Sequence, residues 1–205
     1  YRTYNVLPDA LLVNLQSAEF YVRAEGGDAE VTVDPLPANL HLDNRIHAAA
    51  HGCPQTGHWV RFTTIDADPL HVAMDGVVGP ACPAYAQRSI MTAPEYAFGT
   101  FVTFWRSLGG RFDGSLRLGH RPEQASLIAT LDSDSLAEVV YRTNKWSSNA
   151  MARMLLLSMA AEQSNSSVSA ADGEAALDAF LQTRGLHFPE LVVDNGSGQI
   201  GRAHV

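Results

Sequence analysis

The hydrophobic period of this 205-residue chain changes once, near Pro94, and that change limits its architecture more than any other feature. Before Pro94, apolar and polar residues alternate over short runs, the two-residue period of half-buried strands. Glu19–Arg23, Glu30–Asp34, Trp59–Thr63 and His71–Gly76 carry this period, and Gly26-Gly27 and Pro35 interrupt it. The apolar run Ala10–Leu15 reads as a further strand. Short strands punctuated by Gly and Pro predict a β-rich module.

After Pro94 the spacing becomes helical. Tyr96, Phe101, Phe104, Trp105 and Leu108 predict a helix near 95–108, stopped by Gly109-Gly110. Gly114–Leu118 and Leu127–Thr130 read as short strands. Ser133–Tyr141 reads as a helix. A second helix starts near Ser147 or Ser148 and runs through Met159, with Met151, Met154, Leu155 and Met159 marking its buried side. Ser164–Ser169 is a polar loop. Gly173–Arg184 is a third helix, with Ala176, Leu177, Phe180 and Leu181 inward and Gly185 as its cap. Leu191–Val193 reads as a strand entering the turn Asp194–Gly198.

Composition excludes some partners. At 46% hydrophobic the chain has enough apolar surface for a core. Its net charge of -8 argues against nucleic acid, which needs a basic surface. No basic amphipathic stretch suggests membrane attachment. The longest apolar stretches, such as Met154–Leu157, are far too short to span a bilayer. No charged start followed by an apolar run is visible, and because the chain opens on Tyr1 this says nothing of export.

Cys53 and Cys82 are the only cysteines. They fit one disulfide in an oxidising compartment or two free thiols. A bridge closing a loop of about 30 residues would stabilise by roughly 3–4 kcal/mol in the chain-entropy model. His47, His51, Cys53 and His58 cluster in sequence, and all are zinc-ligand types. His47 and His51 would share a face if this stretch were helical. Gly52 and Pro54 break such a helix, so the expectation is no metal and no cofactor.

The chemistry-bearing candidate is Asn144-Lys145-Trp146-Ser147-Ser148-Asn149, ahead of an apolar helix. A serine there has an ordinary duty, because its hydroxyl caps free backbone N–H groups. Ser-x-Asn alone is a weak motif. With the following Ala150-Met151-Ala152-Arg153-Met154, however, the stretch resembles the second active-site motif of serine peptidase family S13. These are D-alanyl-D-alanine carboxypeptidases/endopeptidases of the penicillin-binding protein 4 type. Two more stretches fit in the same order: Tyr4–Asn14 resembles the entry to the family's inserted β-rich module, and Val192–Gly198 resembles its D-G-S-G turn.

The resemblance implies cleavage of D-Ala-D-Ala termini of peptidoglycan stem peptides through an acyl-serine intermediate. Ser147 would pass a proton toward the leaving amine, and Asn149 would hold the substrate backbone. Lys145 reads as a flanking charge or an accessory group. The resemblance also implies inhibition by β-lactams, a periplasmic location and no cofactor.

One count departs from the family pattern. Lys145 is the single lysine, and the other 13 of the 14 basic residues are arginines. The family's S-x-x-K needs Ser at position 142, which is Arg. Its K-T-G needs Gly at position 147, which is Ser. The expectation is an internal fragment, inactive alone, of a longer enzyme.

The expected fold class is α+β, a partial β-lactamase/transpeptidase-like catalytic domain preceded by an inserted β-rich module. Residues 1–128 form that module, and 129–198 belong to the catalytic domain. Residues 199–205, Gln-Ile-Gly-Arg-Ala-His-Val, resemble a translated sequencing adapter and read as a non-native tail. Two other readings compete. A compact β-lactamase lacks the β-rich stretch. A non-catalytic cell-wall-binding or interaction module would use that stretch alone.

Overall fold

The computed structural model describes residues 3–25, 27–52 and 60–198. Two compact units divide the chain: Tyr1–Val6 with Ala10–Gly119, and Leu7–Asp9 with His120–Val205. The first of these units ends at Gly119. The architecture is α+β, with two small sheets and four helices.

The first unit holds strands β1 (Ala18–Glu25), β2 (Asp28–Asp34), β3 (His41–Ala48), β4 (Arg61–Ile65), β5 (Asp68–Val78) and β6 (Ala84–Arg88). One antiparallel sheet runs β2-β1-β6. The other runs β3-β5-β4, with β3 parallel and β4 antiparallel to β5. Alternation decides which side of each strand is buried. On β1, Ala18, Phe20 and Val22 are buried, while Tyr21 and Arg23 face solvent. Phe20 is fully buried and meets Phe62 of β4 edge-on, ring centroids 4.8 Å apart, joining the two sheets. Truncating a ring buried this way to alanine costs about 3–5 kcal/mol.

Helix α1 (Ala93–Ser107) closes this core. Glu95 accepts hydrogen bonds from the Thr92 backbone N–H (2.9 Å) and hydroxyl (2.7 Å), securing the helix start. Its buried Tyr96 donates to the Ser17 carbonyl (2.5 Å) and accepts from the Asn14 amide (3.1 Å). Gly99 sits mid-helix because the chain at 37–39 lies against it. A Cβ there would fall 1.8 Å from Asn39 Oδ1, and the Ala38 N–H donates to the Gly99 carbonyl.

The second unit carries helices α2 (Leu136–Lys145), α3 (Asn149–Ala161) and α4 (Ala170–Thr183). Ser135, Ser148 and Ser169 cap their N-termini, accepting from Glu138, Met151 and Asp172 N–H groups respectively. No helix among the described residues is long and apolar enough to cross a membrane.

Several expected elements did not form. Ala10–Leu15 is not a strand: Asn14, Leu15 and Gln16 adopt φ of 47°, 51° and 52°. Side chains pin that left-handed turn, with the Asn14 amide donating to the Ser17 carbonyl and the Gln16 amide to the Met91 carbonyl. Gly114–Leu118, Leu127–Thr130 and Leu191–Val193 pair with no strand among the described residues and remain irregular. Strands β3 and β6 were not anticipated. On α3 the buried residues are Ala150, Leu156 and Ala160, not the methionines. Phe180 of α4 is 46% exposed rather than inward.

His47 lies on strand β3, so the helical face that would have paired it with His51 does not exist. Cys53 and His58 lie outside the described residues, as do residues 199–205. Among the described residues no group of His, Cys, Asp or Glu is placed to hold a metal. Cys82 is disulfide-bonded, and Cys53 is the only other cysteine in the chain.

Candidate functional site

The connection between α2 and α3 is only three residues long, Trp146-Ser147-Ser148. Thr143 helps to define its start: buried in α2, it donates its hydroxyl to the Val139 carbonyl at 2.7 Å. Arg142 and Lys145 occupy the last turn of α2, where cations complement the helix dipole. Arg142 pairs with Glu138 (2.7 Å) and Asp134 (2.8 Å), which raises its pKa further above the ordinary guanidinium value.

The helix then ends by a defined hydrogen-bond pattern. Trp146 is the C-cap. The Ser147 N–H donates to the Asn144 carbonyl (3.3 Å), and the Ser148 N–H to the Thr143 carbonyl (3.0 Å). This is the Schellman motif, whose residue after the cap must be left-handed. Ser147 holds that position at φ 52°.

The same motif ends two other helices in the chain, and the comparison is informative. After α1, Gly109 (φ 84°) bonds to the Arg106 carbonyl and Gly110 to that of Trp105. After α4, Gly185 (φ 71°) bonds to the Gln182 carbonyl and Leu186 to that of Leu181. Both use glycine, which has no Cβ to clash in this conformation. Only the α2 motif carries a side chain there, at a cost of roughly 1–2 kcal/mol.

The capping duty belongs to the neighbour. Ser148 is the N-cap of α3, its Oγ accepting from the Met151 N–H at 3.4 Å, and its carbonyl accepts from Ala152 N–H at 3.0 Å. Ser147 is exposed, and its hydroxyl makes no hydrogen bond among the described residues. The sequence left capping open between the two serines; the structure assigns it to Ser148. Asn149 is the first residue of α3 and half-buried, and Lys145 is the exposed last residue of α2. The three sequence candidates are thus brought together on one short turn.

A packed base supports the start and length of α3. Leu156 is wedged between two glycines of other elements. A Cβ on Gly173 of α4 would lie 2.7 Å from Leu156 Cγ, and one on Gly196 3.0 Å from Leu156 Cβ. The segment 194–198 therefore seats directly on α3. Gly196 is left-handed at φ 74°, and Asn195 Oδ1 accepts from the Ser197 N–H (3.1 Å) and hydroxyl (2.6 Å). At the start of α4, Asp172 accepts from the Ser169 N–H and hydroxyl, both at 2.7 Å, which lowers its pKa below the usual carboxylate value.

Comparison with known proteins gives one consistent answer. The model of the D-Ala-D-Ala carboxypeptidase 3 (S13) family matches residues 1–202, a span that enters the segment read as a non-native tail. No curated relative matches the chain. Its fold is similar to penicillin binding protein 4 from Haemophilus influenzae complexed with a novel β-lactam. That structure aligns with TM-score 0.69 and 20% identity, covering 96% of this chain and 45% of that one. A second structure of the same Haemophilus influenzae protein also aligns with TM-score 0.69 and 20% identity, covering 95% of this chain and 43% of that one. The chain therefore spans less than half the length of these structural relatives.

Proposed function

This chain belongs to the D-Ala-D-Ala carboxypeptidase 3 (S13) family, and from that premise we propose that it carries the S-x-N element of a serine-type peptidoglycan carboxypeptidase. Ser147 and Asn149 are its working residues. The nucleophilic serine and its lysine lie in other parts of a longer polypeptide, because the single lysine here fits neither S-x-x-K nor K-T-G. The 205 residues alone are therefore inactive.

In the proposed reaction the nucleophile's oxygen bonds to the penultimate D-Ala carbonyl carbon. The bond to the terminal D-Ala nitrogen breaks as that amine takes a proton. Ser147 relays the proton, and the Asn149 amide holds the substrate backbone. Water then hydrolyses the acyl-serine ester. A β-lactam would be opened by the same nucleophile. The location that fits this substrate is the periplasm.

The observation that supports this reading is Ser147 itself. An exposed hydroxyl occupies a left-handed position where two sister motifs use glycine, and the adjacent serine does the capping. Five other non-glycine residues among those described also have positive φ, so the weight rests on the contrast with the two sister motifs, from which a functional role can be inferred.

Labelled penicillin tests the reading on the full-length gene product. The expected result is acylation of wild type, and none of the isolated 205-residue chain. Ser147→Ala should lower D-Ala release by about 10²–10⁴-fold, the usual worth of a positioned proton donor. A full-length gene without Ser-x-x-Lys, or undiminished turnover in Ser147→Ala, sinks it.

A further inference from the structure

We propose that the solvent face of the β2-β1-β6 sheet is a binding site for an uncharged, N-acetylated amino-sugar polymer, which stacks on Tyr21 and Tyr85. The two residues are direct partners across β1 and β6. Their rings lie 5.1 Å apart, tilted by 49°, and remain 46% and 57% exposed. Cross-strand aromatic pairs ordinarily stabilise a sheet. This pair also lines an open cleft of about 440 Å³ with Arg23, Thr32 and Pro83. That volume falls in the range of small-ligand sites, roughly 300–1,000 Å³.

The surrounding chemistry selects the ligand. Glu19, Glu25, Asp28, Glu30 and Asp34 share the outward positions of β1 and β2, against one cation, Arg23. An anionic polymer is repelled by such a face. An uncharged sugar is not, and its hydroxyls donate to carboxylates. Several of these groups are fixed in advance. The Tyr21 hydroxyl donates to Glu19, and Arg23 holds Glu30 at 2.7 Å. The Glu19 bond pushes the pKa of the Tyr21 phenol up to about 12. Fixed planar polar groups beside an exposed apolar ring match the alternating C–H faces and hydroxyl edges of a pyranose. The choice of an amino sugar rests on the peptidoglycan reading above; the stacking surface does not.

Binding of hexa-N-acetylchitohexaose to the full-length protein, followed by calorimetry, tests this. Wild type should bind. Tyr21→Ala and Tyr85→Ala should each bind at least about tenfold more weakly, as expected for loss of an aromatic anchor. Tyr85→Phe should bind within about threefold of wild type, since the ring is kept, and Tyr21→Phe should bind more weakly than that but better than Tyr21→Ala, since it keeps the ring and frees Glu19. Thr32→Arg, which fills the cleft and spares both rings, should also lose binding. The inference is overturned if wild type does not bind hexa-N-acetylchitohexaose, if both alanine variants bind like wild type, or if trilysine binds this face and the sugar does not. Penicillin acylation without sugar binding sinks only this inference. Tyrosine-dependent sugar binding without acylation sinks only the peptidase reading.

Discussion

Replacing Ser147 with glycine should make the protein more stable and no more active. The structure supplies the magnitude. Ser147 sits at φ 52° in a Schellman motif, a conformation costing an L-residue roughly 1–2 kcal/mol. Glycine relieves that cost but loses about 0.5–1 kcal/mol more backbone entropy on folding. No hydroxyl hydrogen bond among the described residues is forfeited. The expected net gain is about 0.5–1 kcal/mol, a rise in Tm of about 1–4 °C for a chain of this size. Ser147→Ala separates the two contributions, since it removes the hydroxyl and keeps the Cβ. Its Tm should stay within about a degree of wild type on the same scale. In the full-length enzyme both variants should lose D-Ala release equally. A glycine variant no more stable than the alanine variant would refute the strain argument. A fall of several degrees in both would mean that the hydroxyl is structural.

Further outcomes follow from packing, capping and exposure. Gly173→Ala should destabilise by about 1–3 kcal/mol, because its Cβ would sit 2.7 Å from Leu156 Cγ. Leu156→Ala alone should cost about 2–5 kcal/mol, and the double variant less than the sum by about 1 kcal/mol in urea melts; strict additivity would show that the two do not touch. Ser169→Ala should cost about 1 kcal/mol through loss of the α4 cap. Asp172 has a lowered folded pKa, so its contribution is present above the unfolded value and lost as pH falls through the folded one. The stability gap between wild type and Asp172→Asn should therefore close in acid, and a gap unchanged from pH 7 to pH 2.5 would contradict the assignment. Residues 129–198 expressed alone should show no cooperative melt by circular dichroism, since Leu131, Leu136, Trp146 and Val192 are 98%, 69%, 75% and 85% exposed. A sharp transition would contradict that.

Where alternation was clean, strands could be read directly, as in β1, β2 and β5. Strand β3 escaped because Asn44 interrupts its apolar face between Leu42 and Ile46. The structure uses that amide to reach the Ala29 carbonyl at 2.8 Å. Strand β6 escaped because Ala84 and Ala86, its inward residues, are too small to signal a core. Ala10–Leu15 misled for the opposite reason: its apolar content is high, but Asn14 and Gln16 bond to the chain at 17 and 91 and turn it. Helix α3 was legible, while its buried side was not. Bulk pointed to methionines, but glycines at 173 and 196 bring neighbouring backbones close to Leu156. The candidate motif was singled out by its family resemblance, since Ser-x-Asn alone is weak. Which serine caps α3 was not, because nothing in a Ser-Ser pair encodes the sign of φ.

That sign is what separates a folding role from a chemical one. A three-residue link between α2 and α3 needs one residue to leave the first helix left-handed and one to cap the second. Glycine followed by serine would satisfy both demands, and Gly109 and Gly185 meet the first of them elsewhere in the chain. At 147 the chain instead places a serine, accepts the steric cost, and leaves its hydroxyl exposed beside a cap already supplied by Ser148. For folding, then, the hydroxyl at 147 is surplus. A surplus polar group on a strained, rigidly anchored turn is available to a reaction. If Ser147→Gly left turnover in the full-length enzyme intact, that availability would be unused, and the turn would be nothing more than a poorly chosen helix end.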